Sequence, residues 1–308
     1  MVPSRHAGSR VRSAWMRDQL EQALAAAPEL LEGRQVVDVL SVGGSSVGST
    51  WRLNLNGGEQ LFVKVAETAN LLAEQSGLQA LRHWADPALI EVPQVLGCLP
   101  LPENSALVMA WWDASSGDQF CLGRGLAQLH RASAEAGPGR FGWDRDGFIG
   151  LGPQPSGWRD SWGDAFTQLR LQPQLRLASE WGLAVQDWEP VLEPIAAWLN
   201  RHAPAPCLVH GDLWAGNAAV LADGRGLLID PASWWADREV DLAMTHLFGG
   251  FSRRFMEGYS REWPLPAGAE QRIEALNLYH LLNHANLFGG GYQQQSRRIL
   301  KDLRLALL

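Results

Sequence analysis

Leu208 to Asp230 reads LVHGDLWAGNAAVLADGRGLLID. Two short apolar runs, LV and GLLID, have the composition of strands. The polar loop between them carries Asp212 and Asn217, and Asp230 closes the second run. Two carboxylates and an amide in this order suit the transfer of a phosphoryl group. One Asp can take the proton of an attacking hydroxyl, while an Asn five residues later and a following Asp offer the hard oxygen ligands that Mg²⁺ prefers. Asp212 is therefore the expected catalytic base, and Asn217 and Asp230 the expected metal ligands. Taken singly, HGD is an ordinary turn and Asp230 an ordinary strand end; the order and spacing of all three favour chemistry.

The rest of the composition narrows the class. A chain of 308 residues with 46% hydrophobic residues is long enough for one large or two interlocked domains. Lys and Arg number 26 against 33 Asp and Glu, a net charge of −7, and there is no basic run, so neither a nucleic acid nor an anionic membrane is an expected partner. Cys98, Cys121 and Cys207 are far apart in apolar surroundings, which suggests neither a disulfide framework nor a zinc site and fits a reducing cytosol. The N-terminal MVPSRHAGSRVRS lacks the apolar core of a signal peptide and reads as a disordered extension over residues 1–12.

From Ser13 to about Leu31 the Leu and Ala spacing predicts a leading helix. Val36 to Val42, Thr50 to Leu55 and Gln60 to Val65 then read as strands, the last two joined by a hairpin at Asn56, Gly57 and Gly58. The stretch VGGSSVGS before Thr50 is where a nucleotide's phosphates are expected. Gly43, Gly44 and Gly48, with Ser45 and Ser46, let backbone N–H groups approach polyphosphate, as a glycine-rich flap does in kinases. No GK[ST] follows, so this is not a Walker A loop. GSSVG matches a nucleophile elbow in letters only, because the following TWRLNL alternates like a strand. Lys64 lies in the otherwise apolar LFVKV, and Leu71, Glu74, Leu78 and Leu81 set a carboxylate on the apolar face of the next helix. A carboxylate facing inward needs a partner. Lys64 is the natural one, with Glu67 a weaker alternative on the carboxylate side.

After Pro93, QVLGCLP and SALVMAWW complete a five-stranded sheet, and Met109, Ala110, Trp111 and Trp112 stand where a kinase hinge reads adenine. A helix is expected from about Gly117 to Ala132, then a Gly- and Pro-rich loop from Gly137 to Gly157. Helical patterns follow over Trp158 to Gly182, interrupted at Pro173, and over Asp187 to Arg201. Asp237, Glu239 and Asp241 open another helix. The first two read as acids complementing its dipole, and Asp241 as a brace for the catalytic loop. His280 and His284 have the spacing of a metal pair but lack the Glu of a zincin, and read as structural.

HGDLWAGN, IDPASWWADREVDLAM, LFGGF and LYHLLNHANLFGGGY together resemble the signatures of the fructosamine 3-kinases, or ketosamine-3-kinases, within the aminoglycoside phosphotransferase and choline kinase type of fold. SALVMAWW, GLAQLH, FGW and FIG fit the same pattern, so the resemblance runs from about Gln35 to the C-terminus. HGDxxxxN alone is common to many small-molecule kinases; its combination with LFGGF and NHxNLFGGGY is far more specific. The resemblance implies an α+β, two-lobed protein-kinase-like fold, with a small five-stranded antiparallel N-lobe over residues 13–113 and a larger, mainly helical C-lobe over 114–308.

It also implies ATP and Mg²⁺ as cofactors, with Lys64 and Glu74 positioning the nucleotide, Gly43 to Gly48 forming the flap, Asn217 and Asp230 on the metal, and Asp212 as base. The acceptor it implies is a sugar hydroxyl of a ketosamine, free or protein-bound, in a deglycation role. Trp214 is expected to stack on the sugar, with His210 and Asp241 beside the acceptor. Ser45 and Ser46 stand where many members of the family carry a cysteine, so redox coupling between chains is not implied. Monomer and dimer remain open. An aminoglycoside- or choline-type acceptor is the nearest alternative, and a non-catalytic nucleotide-binding protein a more distant one.

Overall fold

Trp51, Leu53 and Leu55 are buried while the residues between them are half-buried, the two-residue period of a strand with one face on a core. In the computed structural model this pattern continues on both sides of that strand. The backbone is described for residues 5–45 and 48–308, and the side chains for 15–43 and 48–308. By its internal contacts the chain forms two units, residues 1–76 with 93–112, and residues 77–92 with 113–308.

The first unit starts with α1 (Arg5–Ala25) and a 3-10 turn (Pro28–Leu31). The helix expected from Ser13 thus begins at Arg5 and takes in most of the stretch expected as an extension; residues 1–4 lie outside the described residues. Strands β1 (Val36–Ser45), β2 (Gly48–Leu55) and β3 (Gln60–Ala66) follow, then α2 (Thr68–Trp84), whose residues from Gly77 onward belong to the second unit. After β4 (Ile90–Glu91), which belongs to the second unit, the chain returns as β5 (Val95–Pro100) and β6 (Ser105–Ala110). The five strands pair antiparallel in the order β1-β2-β3-β6-β5, as the alternation predicts. Leu20, Leu24 and Leu31 pack on Val39, Trp51, Leu53, Val63, Leu99 and Val108 to form the core of this unit. Each such side chain removed from water contributes roughly 1.5–3 kcal/mol.

The second unit is mainly helical. A short β7 (Ala114–Ser115) precedes α3 (Phe120–Ala136), whose buried face is formed by Leu122, Leu126, Leu129, His130 and Ser133 at helical spacing. Where a loop is expected from Gly137 to Gly157, four three-residue strands occur: β8 (Phe141–Trp143), β9 (Gly147–Ile149), β10 (Gly152–Gln154) and β11 (Gly157–Arg159). Segments this short carry too few alternations to stand out from turns. Next come α4 (Trp162–Phe166), a π turn (Thr167–Leu171), α5 (Gln172–Leu177) and α6 (Val185–Asn200). Pro173, the expected interruption, sits in the first turn of α5, where its missing N–H is tolerated.

The decisive stretch forms β12 (Cys207–Val209), β13 (Ala218–Leu221) and β14 (Gly226–Leu228). The loop expected to fill the space between two strands is therefore shorter, because AAVL pairs with GLL as a hairpin. β12 lies in the sheet β11-β8-β15-β12, with β15 at Trp234–Ala236, and the hairpin lies in β4-β14-β13-β7. Arg82 and Arg225 both reach Glu91 beside that hairpin, at 2.7 and 2.9 Å. Helices α7 (Glu239–Leu247), α8 (Arg253–Glu262), α9 (Ala269–Phe288) and α10 (Gly291–Leu307) complete the unit. Among the described residues no helix is long and apolar enough to cross a membrane.

Candidate active site

The two units carry different parts of the expected chemistry. In the first, Lys64 Nζ lies 2.7 Å from Glu74 Oε2, with both side chains almost wholly buried. Leu71, Leu78 and Leu81 are fully buried on the same face of α2, so the helical period that selected Glu74 is the one that turns it inward. Glu67, the alternative partner, is exposed. β1 and β2 pair as far as Ser45 opposite Gly48, and Thr50 Oγ1 donates to Gly43 O at 2.9 Å. A Cβ at Gly48 would stand 2.1 Å from Val65 O, so only glycine lets β2 approach β3 so closely at this point. Ser46 lies outside the described residues, as does the Ser45 side chain. Met109 is buried in β6. The N–H groups of Ala110 and Trp111 donate to Gln94 O and Gln60 O, so within the expected hinge these two are engaged in the unit's own structure.

In the second unit, Asp212, Asn217 and Asp230 meet in one small volume. Asn217 Nδ2 donates to Asp212 O at 2.9 Å, to Asp212 Oδ2 at 3.1 Å and to Asp230 O at 3.3 Å. These three acceptors fix the amide so that its nitrogen faces the loop and its Oδ1 remains an oxygen donor, as a hard cation requires. Asp230 has φ of 51°, a left-handed conformation that Asp tolerates better than most residues, and this turns its carbonyl towards Asn217. A carboxylate and an amide oxygen on one loop pair thus fit a magnesium site.

The loop is held from beneath. Asp241, at the start of α7, accepts the N–H of His210 through Oδ2 at 2.7 Å and that of Gly211 through Oδ1 at 2.8 Å. His130 Nε2 donates to the same Oδ2 at 3.1 Å, and its Nδ1 accepts from the Tyr259 hydroxyl at 2.9 Å. Burial pushes the Asp241 carboxyl up, but the hydrogen bonds it accepts, from His130 and from the Gly211 N–H among them, more than offset it, leaving it below the usual carboxylate range. His210 Nε2 donates to Ile229 O at 2.8 Å, so its Nδ1 carries the lone pair that accepts the Asp212 N–H at 3.3 Å. Burial lowers this imidazole's pKa, with Asp241 opposing, which favours that neutral form.

His210 and Asp241, expected beside the acceptor, are both fully buried. They present no atom to a substrate and instead shape the Asp212 loop. Asp241 is the brace that its place before an apolar helix suggested. The contribution of His130 went unread, although a histidine on the Leu122–Leu126–Leu129 face of α3 was a visible signal. Trp214 is 43% exposed, and its indole lies over Gly216, where a Cβ would come within 2.2 Å of the ring. It packs on its own loop and still offers surface to solvent.

Asp237 and Glu239 do more than face a helix dipole. Glu239 forms two 2.7 Å bonds with Arg272, and His202 Nε2 lies 3.2 Å from Asp237 and 3.5 Å from Glu239. Among the described residues these three alone have metal-ligand spacing, but Arg272 already neutralises Glu239, which makes the cluster an ion-pair network. His284 Nδ1 donates to His280 O at 2.8 Å, and His280 is wholly buried, as a structural pair would be.

An antiparallel five-stranded unit with a buried Lys–Glu pair, and a helical unit carrying the Asp–Asn–Asp loop pair, define a phosphotransferase of the protein-kinase-like fold. A thermostable mutant of an aminoglycoside phosphotransferase shares that fold at a TM-score of 0.58 and 18% identity, covering 87% of this chain and 95% of its own. The fructosamine kinase family profile matches residues 18–306, and the chain belongs to that family. A probable ketoamine kinase of Synechocystis is 41% identical over 85% of this chain and 88% of its own length. The crystal structure of a candidate fructosamine-3-kinase from Haemophilus somnus has a TM-score of 0.80 at 26% identity, covering 93% of this chain and 97% of that one.

Proposed function

We propose that this chain is an ATP-dependent kinase that phosphorylates a sugar hydroxyl of ketosamines, with Asp212 as its catalytic base. The observation that carries the reading is the Asn217 amide, which ties the Asp212 carboxylate to the Asp230 turn and keeps its own oxygen available. The acceptor class comes from the names of the relatives, and the site's chemistry is compatible with it.

Asp212 would accept the proton as the hydroxyl oxygen bonds to the γ-phosphorus and the bond to the ADP oxygen breaks. Its position is set by the Asp212 N–H on His210 and by Asn217 on its Oδ2, so the base is oriented before substrate arrives. Lys64, held by Glu74, is the group suited to a nucleotide phosphate. Asn217 and Asp230 would hold Mg²⁺, which supplies charge neutralisation on the phosphates. A phosphate placed on C3 of the sugar, next to the C2 carbonyl, is a far better leaving group than hydroxide. Loss of a C1 proton to the enaminol and then of the C3 phosphate would leave a C1=N imine, and water would hydrolyse that imine to free the amine, which is the sense in which the reaction would reverse glycation.

ADP release with Mg²⁺-ATP, measured against fructosyl-lysine and ribulosyl-lysine (free and on a protein), an aminoglycoside and choline, tests this reading. Turnover confined to the ketosamines is expected. Turnover on the aminoglycoside or choline with none on any ketosamine would overturn the acceptor assignment.

A further inference from the structure

Phe248, His284 and Tyr292 come from three separate stretches of chain and close on one another. Their ring centroids are 4.8 Å (Phe248–His284), 5.1 Å (His284–Tyr292) and 6.3 Å (Phe248–Tyr292) apart, and their planes meet at 46°, 49° and 77°. None of these pairs is a parallel stack; the rings form the walls of a corner. Phe288 adds a fourth ring, 5.7 Å from His284. A core cluster would be covered, yet Phe248 is 38% and Phe288 62% exposed. Exposed aromatic surface held in a fixed arrangement is characteristic of a binding site.

The backbone builds this corner beside the catalytic loop. Gly289 and Gly290, both at positive φ, end α9 and turn α10 so that Tyr292 folds back onto His284. Gly250, also at positive φ, lies against Ala215, and a Cβ added there would stand 2.3 Å from Ala215 Cβ. Ala215 follows Trp214 and is three residues from Asp212. The corner therefore adjoins the loop that carries the base, all within one unit.

Resting on the ketosamine reading above, we infer that Phe248, His284 and Tyr292 form the subsite for the protonated amine of the acceptor. A ketosamine nitrogen is a secondary amine, cationic near neutral pH and only a few bonds from the hydroxyl to be phosphorylated. Its binding group must therefore lie close to the base. A cation is attracted to a Phe or Tyr face within about 6 Å of the ring centre, and the 6.3 Å spacing of the Phe248 and Tyr292 centroids lets one cation meet both. His284 adds a directed contact. Its Nδ1–H is committed to His280 O, so Nε2 carries the lone pair, an acceptor for an ammonium N–H. Burial holds this imidazole below its ordinary range, only partly offset by the His280 carbonyl, so at neutral pH the uncharged ring does not repel a cation.

The test uses two six-membered rings of equal size, piperidinium (cationic) and tetrahydropyran (neutral), with binding to the full-length protein followed by ligand-observed NMR. Wild type is expected to bind piperidinium roughly tenfold more tightly than Phe248→Leu or Tyr292→Leu, with Phe248→Tyr restoring the affinity, while tetrahydropyran distinguishes none of them. Equal loss of both probes in the Leu variants, or no preference for piperidinium in wild type, would overturn the subsite. Because this readout needs no turnover, it separates the two readings. Selective piperidinium binding in a protein that phosphorylates no ketosamine would support the ammonium subsite and sink the acceptor assignment. The same Leu variants should raise KM for fructosyl-lysine more than KM for its ether analogue.

Discussion

Asp241 accepts two backbone N–H groups of the catalytic loop and one imidazole N–H, and each of its oxygens is needed as an acceptor. Asp241→Asn would replace one oxygen with a donor facing a donor in a buried site, a mismatch that costs about 1–3 kcal/mol, more where the lost partner was charged. The expected result is a lower melting temperature together with a lower kcat, while KM for ATP changes little. Denaturant unfolding and steady-state kinetics on the same preparation would check it. An unchanged kcat in a destabilised protein would mean that the clamp is structural only. That Asp212, Asn217 and Asp230 come together was legible because it depends on local spacing. The clamp on His210 and Gly211 was only half legible, since Asp241 lies 30 residues from Gly211 and His130 lies 111 residues from Asp241. Nothing in a linear pattern announces such pairings.

At the scale of single elements, the buried pair between β3 and α2 raises a question of purpose. A buried ion pair is weak evidence for stability, because desolvation offsets most of the attraction, but removing one partner strands the other. Glu74→Gln should therefore destabilise by about 3–5 kcal/mol. The double change Lys64→Met with Glu74→Leu should recover most of that loss in thermal unfolding and yet leave no phosphoryl transfer. Retained turnover in the double variant would show that the pair serves folding alone. The pair was readable because apolar residues at helical spacing isolate Glu74, and the five-stranded sheet because its strands are long enough to alternate. Strands β8 to β11, three residues each, were hidden for the opposite reason. β8 pairs with β11 and with β15, far along the chain, while β9 and β10 pair only with each other.

For the whole molecule, buried histidines set the pH response. Burial lowers His210 and His284, and lowers His280 to about 4, with the nearby His284 adding to the effect. A folded-state pKa below the unfolded value means that the unfolded chain binds more protons. The stability from these groups is then complete above about pH 6.5 and is lost as pH falls towards the folded pKa. Each proton taken up on unfolding corresponds to about 1.4 kcal/mol per pH unit. Unfolding temperatures should be level above pH 7 and fall steadily between pH 6.5 and 4, and His280→Phe should flatten that slope. A variant with the same slope as wild type would remove His280 from the account. The spacing of His280 and His284 marked them as structural, whereas the burial of His210 was hidden, because Ile229 and Asp241, which hold it, lie 19 and 31 residues away.

The most direct measurement of the central claim is the rate of ADP release with Mg²⁺-ATP and fructosyl-lysine, wild type against Asp212→Asn. A general base contributes about 10²- to 10⁴-fold, and Asn keeps the size of the side chain while removing its basicity. The account predicts a fall in kcat of that order, with KM for ATP and the melting temperature close to those of wild type. Turnover of fructosyl-lysine by Asp212→Asn at the wild-type rate would contradict it.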